Sequence, residues 1–251
     1  MEQRDIMGGL AKGLAVIETF KAECPRQTIS QVSASSGLDR ATARRCLLTL
    51  AHQGYADYDG KFFTLTPRIL RLGTACLATM PLPQIVQPWL DKLSDELGES
   101  TSVAILDGDE IVYIARAAKR KVMSISLMPG SRLPANCTSM GRVMLAALPD
   151  YEAKIMTSSK TIEARTSHTI TAPEALLTEI KIIRAQGYAV IDQEVELGLI
   201  SIAVPLYNTH NMVVAALNLG LSSHGAEVVQ LAALYLDKLQ NIQAELRQII
   251  I

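Results

Sequence analysis

Arg40, Thr42, Arg44 and Arg45 fall within one short run of the chain. Guanidinium is a planar, bidentate donor that matches phosphate oxygens and the edge of guanine, so the run points to nucleic acid. A second set lies along Arg132-Leu133-Pro134-Ala135-Asn136-Cys137-Thr138-Ser139-Met140, a loop that feeds a helix. The N–H groups at the start of a helix, with a hydroxyl from Thr138 or Ser139, attract an anion such as a carboxylate. Arg132 could clamp that carboxylate, while Leu133, Met140 and Ala203 offer apolar contact to a ring. Equally open is that Thr138 only caps the helix and Arg132 pairs with a nearby acid. Ser201 and Asn218 are polar positions in apolar runs that either line a cavity or face solvent.

Two further sets have weaker chemistry. Asp192, Glu194 and Glu196 crowd five residues and could do acid–base work or form a salt-bridged loop. Cys137 could be a nucleophile or a buried thiol, and His52, His168, His210 and His224 carry no catalytic spacing. The four cysteines show no CxxC pattern and are read as reduced thiols, so neither metal nor cofactor is expected.

The elements that must position these residues follow from periodicity. Ile29, Val32 and Ala34 give a short helix its apolar face; Gly37 turns the chain, and Asp39 caps a second helix. On that helix Ala43, Cys46, Leu47 and Leu50 face inward and leave the arginines on the open side. Asp59-Gly60 between two β-prone runs predicts a hairpin with Lys61 at its tip. A first helix, Leu10 to Phe20, carries the stripe Leu10, Leu14, Ile17 and Phe20. Together residues 1–66 read as a winged helix-turn-helix. Residues 67–80 read as a connecting helix, apolar enough to pack on another subunit, and Pro81 and Pro83 open a second domain over 81–251.

That domain reads as a helix to Leu97, strands at Thr101–Leu106, Ile111–Arg116 and Val122–Leu127, and a loop at Pro129–Asn136. A helix from Ser139 to Leu148 and another from Pro173 to Gln186 precede strands at Tyr188–Ile191, Ile200–Leu206 and Met212–Leu219. A last helix spans Ala226 to Ile249. Successive hairpins imply an α+β fold, an antiparallel sheet with its helices on one face.

Charge supports a division of labour. Residues 1–80 carry 10 Lys and Arg against 7 Asp and Glu; the remainder carry 14 against 18. The basic excess coincides with the winged helix. No signal segment or transmembrane run is evident, so a cytoplasmic protein is expected.

GLAKGLAVIETF at Gly9–Phe20, LDRATARRCLLTLAHQGY at Leu38–Tyr55, and D-x-E-x-x-x-G-x-x-x-I-A-x-P from Asp192 to Pro205 resemble the IclR family of bacterial transcription regulators. RLPANCTSMGRVMLAAL at Arg132–Leu148 is most similar to members controlling protocatechuate and hydroxybenzoate breakdown. The resemblance implies a GAF-like effector domain, double-stranded operator DNA as partner, a small carboxylate effector, and homodimers or homotetramers joined through the DNA-binding domains. It places Arg40, Thr42, Arg44 and Arg45 on the recognition helix, with Thr28 and Ser30 reaching phosphate from the preceding helix. It places Arg132, Asn136, Thr138, Ser139, Met140 and Ser201 on ligand-pocket segments. The competing readings are an enzyme with an accessory DNA-binding domain, which would need a nucleophile–base pair or metal cluster, and a constitutive DNA-binding oligomer.

Overall fold

The computed structural model describes residues 6–21, 23–118, 127–158, 162–223 and 228–251. The chain forms two compact units, divided between Thr79 and Met80. The expected strand at Val122–Leu127 lies almost wholly outside the described residues.

The first unit runs α1 (Gly8–Glu18), β1 (Arg26–Gln27), α2 (Ile29–Ser36), α3 (Arg40–His52), β2 (Ala56–Tyr58), β3 (Phe63–Leu65), a 3-10 turn at Pro67–Ile69 and α4 (Leu70–Thr79). Its local signals act as their chemistry requires. Thr28 and Gln31 form a reciprocal capping box at the start of α2, and Gly37 ends it at φ 69°. Asp39 Oδ1 accepts from the Thr42 N–H at 2.9 Å and starts α3. Asp59 Oδ1 accepts from the Lys61 and Phe62 N–H groups at 2.9 and 2.7 Å and closes the wing. The three strands pair antiparallel in the order β1-β3-β2.

Val16, Val32, Ala43, Leu47 and Phe63 form the core of this unit. Of the expected stripe Leu10, Leu14, Ile17 and Phe20, Phe20 packs against this core but Leu10 and Leu14 do not. Leu10 and Leu14 are 60% and 46% exposed, and Val16 is the residue driven inward. Helix α1 carries two apolar stripes, and periodicity alone does not say which one its own chain covers. Ala34, also expected inside, is exposed.

The second unit runs α5 (Pro81–Leu97), β4 (Ser100–Asp107), β5 (Glu110–Ala117), β6 (Arg132–Pro134), a 3-10 turn at Ala135–Cys137, α6 (Ser139–Ala147), α7 (Asp150–Ser158), α8 (Pro173–Gln186), β7 (Ala189–Asp192), β8 (Leu199–Tyr207), β9 (Val213–Ser222), a 3-10 turn at Val228–Gln230 and α9 (Leu231–Leu246). Every paired neighbour in the six-stranded sheet, order β6-β5-β4-β9-β8-β7, is antiparallel. The loop expected at Pro129–Asn136 contains the edge strand β6, and α7 has no counterpart in the sequence reading.

The helices are not segregated to one face. Met140, Val143 and Met144 of α6 and Leu176, Ile180 and Ile183 of α8 pack on one side with Ala203 and Ala216. Val86, Leu90 and Leu93 of α5 and Leu231, Leu239 and Leu246 of α9 pack on the other with Ile200, Ile202, Val204 and Leu206. Strand β8 is thus buried on both sides. Its near-continuous apolar run, LISIAVPLY, reflects two covered faces, not one.

Gly141 fixes α6 against the turn before it. A Cβ there would stand 2.2 Å from the Ala135 carbonyl oxygen and 2.4 Å from the Ala135 Cα. Only hydrogen fits, so the turn and the helix touch backbone to backbone. That contact places Ser139 and Met140 over the sheet.

Candidate functional site

In the first unit Arg40, Arg44 and Arg45 are all exposed on α3. They do not share one face, however. Arg40 and Arg44 lie one turn apart, whereas Arg45 is rotated by about 100° from Arg44. Arg45 sits with Thr42, Cys46 and Thr49 on the wall of a groove of about 700 Å³. Met7, Leu10, Leu14, Ile17, Leu50 and Leu72 give that groove its apolar lining. Ser30 is exposed on the first turn of α2, while the Thr28 hydroxyl is held in its cap, 2.9 Å from Gln31 Oε1. Lys61 is exposed at the wing tip, its ammonium 5.1 Å from the Phe62 ring. Arg26 lies 4.7 Å over the same ring and bonds Asp59 Oδ2 at 2.6 Å. Sequence reading missed Arg26, because β1 is only two residues long.

In the second unit a small cavity lies between the sheet and the start of α6. Ser102, Tyr113, Arg116, Leu133, Thr138, Ser139, Met140, Val195, Leu199, Ser201 and Asn218 line it, and it encloses about 30 Å³. Of the residues expected there, Leu133, Thr138, Ser139, Met140, Ser201 and Asn218 are present. Ala135, Asn136 and Ala203 are not part of its lining. Ala203 is wholly buried in the core beside it, and Asn136 instead offers its carbonyl to Arg142 Nε at 2.8 Å.

Arg132 is the main correction. Its Nε donates to Glu110 Oε2 at 2.6 Å and its Nη2 lies 2.8 Å from Asp107 Oδ2, with the side chain 42% exposed. Edge strand β6 pairs with β5, and Arg132 stands opposite Val112. The two hairpin acids of β4 and β5 are within reach and take it. The guanidinium that lines the cavity belongs to Arg116, whose Nη1 donates to Ser102 Oγ at 3.2 Å.

The reason lies in β5. Ala104 pairs with Tyr113 and Val103 with Ala115, so Ile114 is an extra residue in the ladder. Tyr113 belongs to one core, and Ile114 and Ala115 both belong to the other. The bulge therefore returns Arg116 to the face of Tyr113, three residues on, where strict alternation would turn it away. Burial pulls the Arg116 guanidinium below its ordinary value, against the pull of Tyr113. Burial pushes the Tyr113 phenol up to about 12, so it stays protonated.

The other polar groups are fixed. Ser201 Oγ donates to Ser139 Oγ at 2.9 Å and ties β8 to α6. Thr138 accepts from the Gly141 N–H at 3.1 Å and donates to the Pro134 carbonyl at 3.1 Å, so its hydroxyl caps α6. Asn218 Oδ1 is buried and has no hydrogen-bond partner among the described residues.

Glu194 resolves the acidic run. Its Oε2 accepts from Arg142 Nη2 at 2.6 Å and from the Ile170 N–H at 3.0 Å. Both side chains of the pair are buried. Burial raises the Glu194 carboxyl above the ordinary range, and Arg142 opposes that rise. The pair anchors the turn that carries Val195 to the cavity wall. Cys137 is buried, and desolvation pushes its thiol up to about 11. A larger cleft of about 320 Å³ lies by Val143, Ile183, Arg184, Tyr207 and Met212. There the Arg184 guanidinium already binds the carbonyls of Ala146 and Leu148 and the carboxylate of Asp150.

Comparison with known proteins agrees with both halves. Residues 9–60 match the family described as "IclR helix-turn-helix domain", and residues 74–247 match "Bacterial transcriptional regulator IclR C-terminal". The Pca regulon regulatory protein of Pseudomonas putida is 46% identical over 90% of this chain and 77% of its own. The p-hydroxybenzoate hydroxylase transcriptional activator of Acinetobacter baylyi is 35% identical over 98% of this chain and 93% of its own. A double mutant of the PobR inducer-binding domain from Acinetobacter, solved with 3-hydroxybenzoic acid, is 30% identical, with a TM-score of 0.62 over 66% of this chain and 97% of that one. The chain belongs to the IclR family of bacterial transcriptional regulators.

Proposed function

We propose that residues 1–66 bind double-stranded operator DNA, residues 67–80 connect, and residues 81–251 sense a small aromatic carboxylate of a catabolic pathway. On this reading Arg40, Arg44 and Arg45 of α3, with Thr28, Ser30, Thr42 and the wing residue Lys61, contact the duplex. The protein acts as a regulator and not as an enzyme, in the cytoplasm where its operator lies. A second copy packs on the exposed Leu10, Leu14, Leu70 and Leu72, since apolar side chains favour burial and paired half-sites multiply phosphate contacts.

The observation that carries the effector reading is Arg116 in a cavity whose lining also includes Tyr113, Leu133, Met140, Val195, Leu199, small hydroxyls and Asn218. A carboxylate bound to Arg116 and Ser102 leaves the ring against Tyr113, Leu133 and Met140. Two relatives, a p-hydroxybenzoate hydroxylase activator and an inducer-binding domain solved with 3-hydroxybenzoic acid, support the same class of ligand. At about 30 Å³ the cavity holds little more than water, against about 300 Å³ for the smallest usual ligand pockets. Binding must therefore move the wall, and a ligand that favours one arrangement of the wall shifts the population of states. Calorimetry of the full chain with 3- and 4-hydroxybenzoate tests this reading. Saturable one-site binding of either acid is expected; no heat at millimolar acid would refute it.

A further inference from the structure

The cavity holds a polar group that a carboxylate at Arg116 does not use. Arg116 of β5 pairs with Ser102 of β4, and Ser102 pairs with Asn218 of β9. The three side chains form a row across the sheet, with the end residues about 10 Å apart at two strand spacings. One end of the row is engaged, because Arg116 bonds Ser102. At the other end Asn218 is only 8% exposed, and its Oδ1 is buried without a hydrogen-bond partner among the described residues. Ala203, its neighbour on β8, offers no side-chain donor. Ser201 gives its proton to Ser139.

A buried carboxamide oxygen with no donor is costly, and such groups are uncommon in folded chains. A ligand hydroxyl would satisfy it. The match survives a turn of the amide, since a hydroxyl both donates and accepts. We propose that Asn218 is a specificity-determining residue that reads a hydroxyl on the effector, across the ring from the carboxylate at Arg116. The site then selects hydroxylated aromatic acids over the unsubstituted acid. An unsubstituted ring leaves the carboxamide desolvated and unpaired, which is how a polar site rejects an analogue that lacks the polar group. The inference rests on the effector cavity proposed above.

Calorimetry with benzoate, 3-hydroxybenzoate and 4-hydroxybenzoate in parallel tests it. Wild type is expected to bind at least one hydroxylated acid about tenfold or more tightly than benzoate. In Asn218→Leu that preference should fall to within about twofold, mainly through weaker binding of the hydroxylated acid. Asn218→Ser, which keeps a hydroxyl, should retain part of it. The wild-type comparison needs no variant, so a poorly folding substitution leaves the test standing. Equal wild-type affinity for all three acids, or a preference that survives Asn218→Leu, overturns the role of Asn218 while the cavity stands. Binding of none of them overturns the cavity reading and this one with it.

Discussion

Arg116 and Arg132 differ in what holds them, and that difference is measurable. Arg132 sits in an exposed ion pair with Asp107 and Glu110, a kind of contact worth about 0–1 kcal/mol. Arg116 faces the cavity beside Ser102 and Tyr113, where a charge-assisted bond to a carboxylate is worth about 1.5–3 kcal/mol. Arg116→Gln should therefore weaken binding of an aromatic acid about 10- to 100-fold, and Arg132→Gln should leave it within about twofold, read by calorimetry. The reverse result would return the clamp to the loop. The sequence could name the hydroxyls and Met140, because loop-to-helix junctions are local. It could not name Arg116, because one inserted residue in β5 decides which side that arginine faces. Ser102, Arg116 and Asn218 become neighbours only through pairing between strands far apart in sequence.

At the scale of elements, short-range chemistry was legible and long-range covering was not. The Asp39 cap, the Gly37 turn and the Asp59 wing turn all depend on residues within five positions of one another. The side of the sheet that α5 and α9 cover depends on contacts across the whole unit, and a one-sided layer was the wrong expectation. Gly141 belongs to this scale too. Its replacement by Ala drives a methyl into the Ala135 backbone, which has no flexible side chain to yield. Gly141→Ala should destabilise the second unit by about 1–3 kcal/mol or more, lowering the denaturant midpoint of that unit. It should also weaken acid binding by shifting Ser139 and Met140. Wild-type stability in this variant would mean that α6 and the turn can separate at no cost.

For the whole molecule, the proposed function joins a basic winged helix to an acid-sensing sheet domain. On the proposed reading the arginines of α3 and the wing Lys61 form the nucleic-acid face of one unit, and the apolar side chains beside α1 receive a second copy. Arg116 is the proposed anion site of the other unit. Neither activity alone makes a ligand-responsive regulator. The acid must change how the chain holds DNA, and it can do so only through a difference in affinity for two conformations. Fluorescence anisotropy of labelled DNA from the regulated promoter, titrated with the full-length chain at fixed salt, measures that coupling directly. The expected result is a saturable complex with two or more chains per site, whose apparent affinity changes about fivefold or more when saturating 3- or 4-hydroxybenzoate is added. An operator affinity identical with and without an acid that calorimetry shows to be bound would contradict the account.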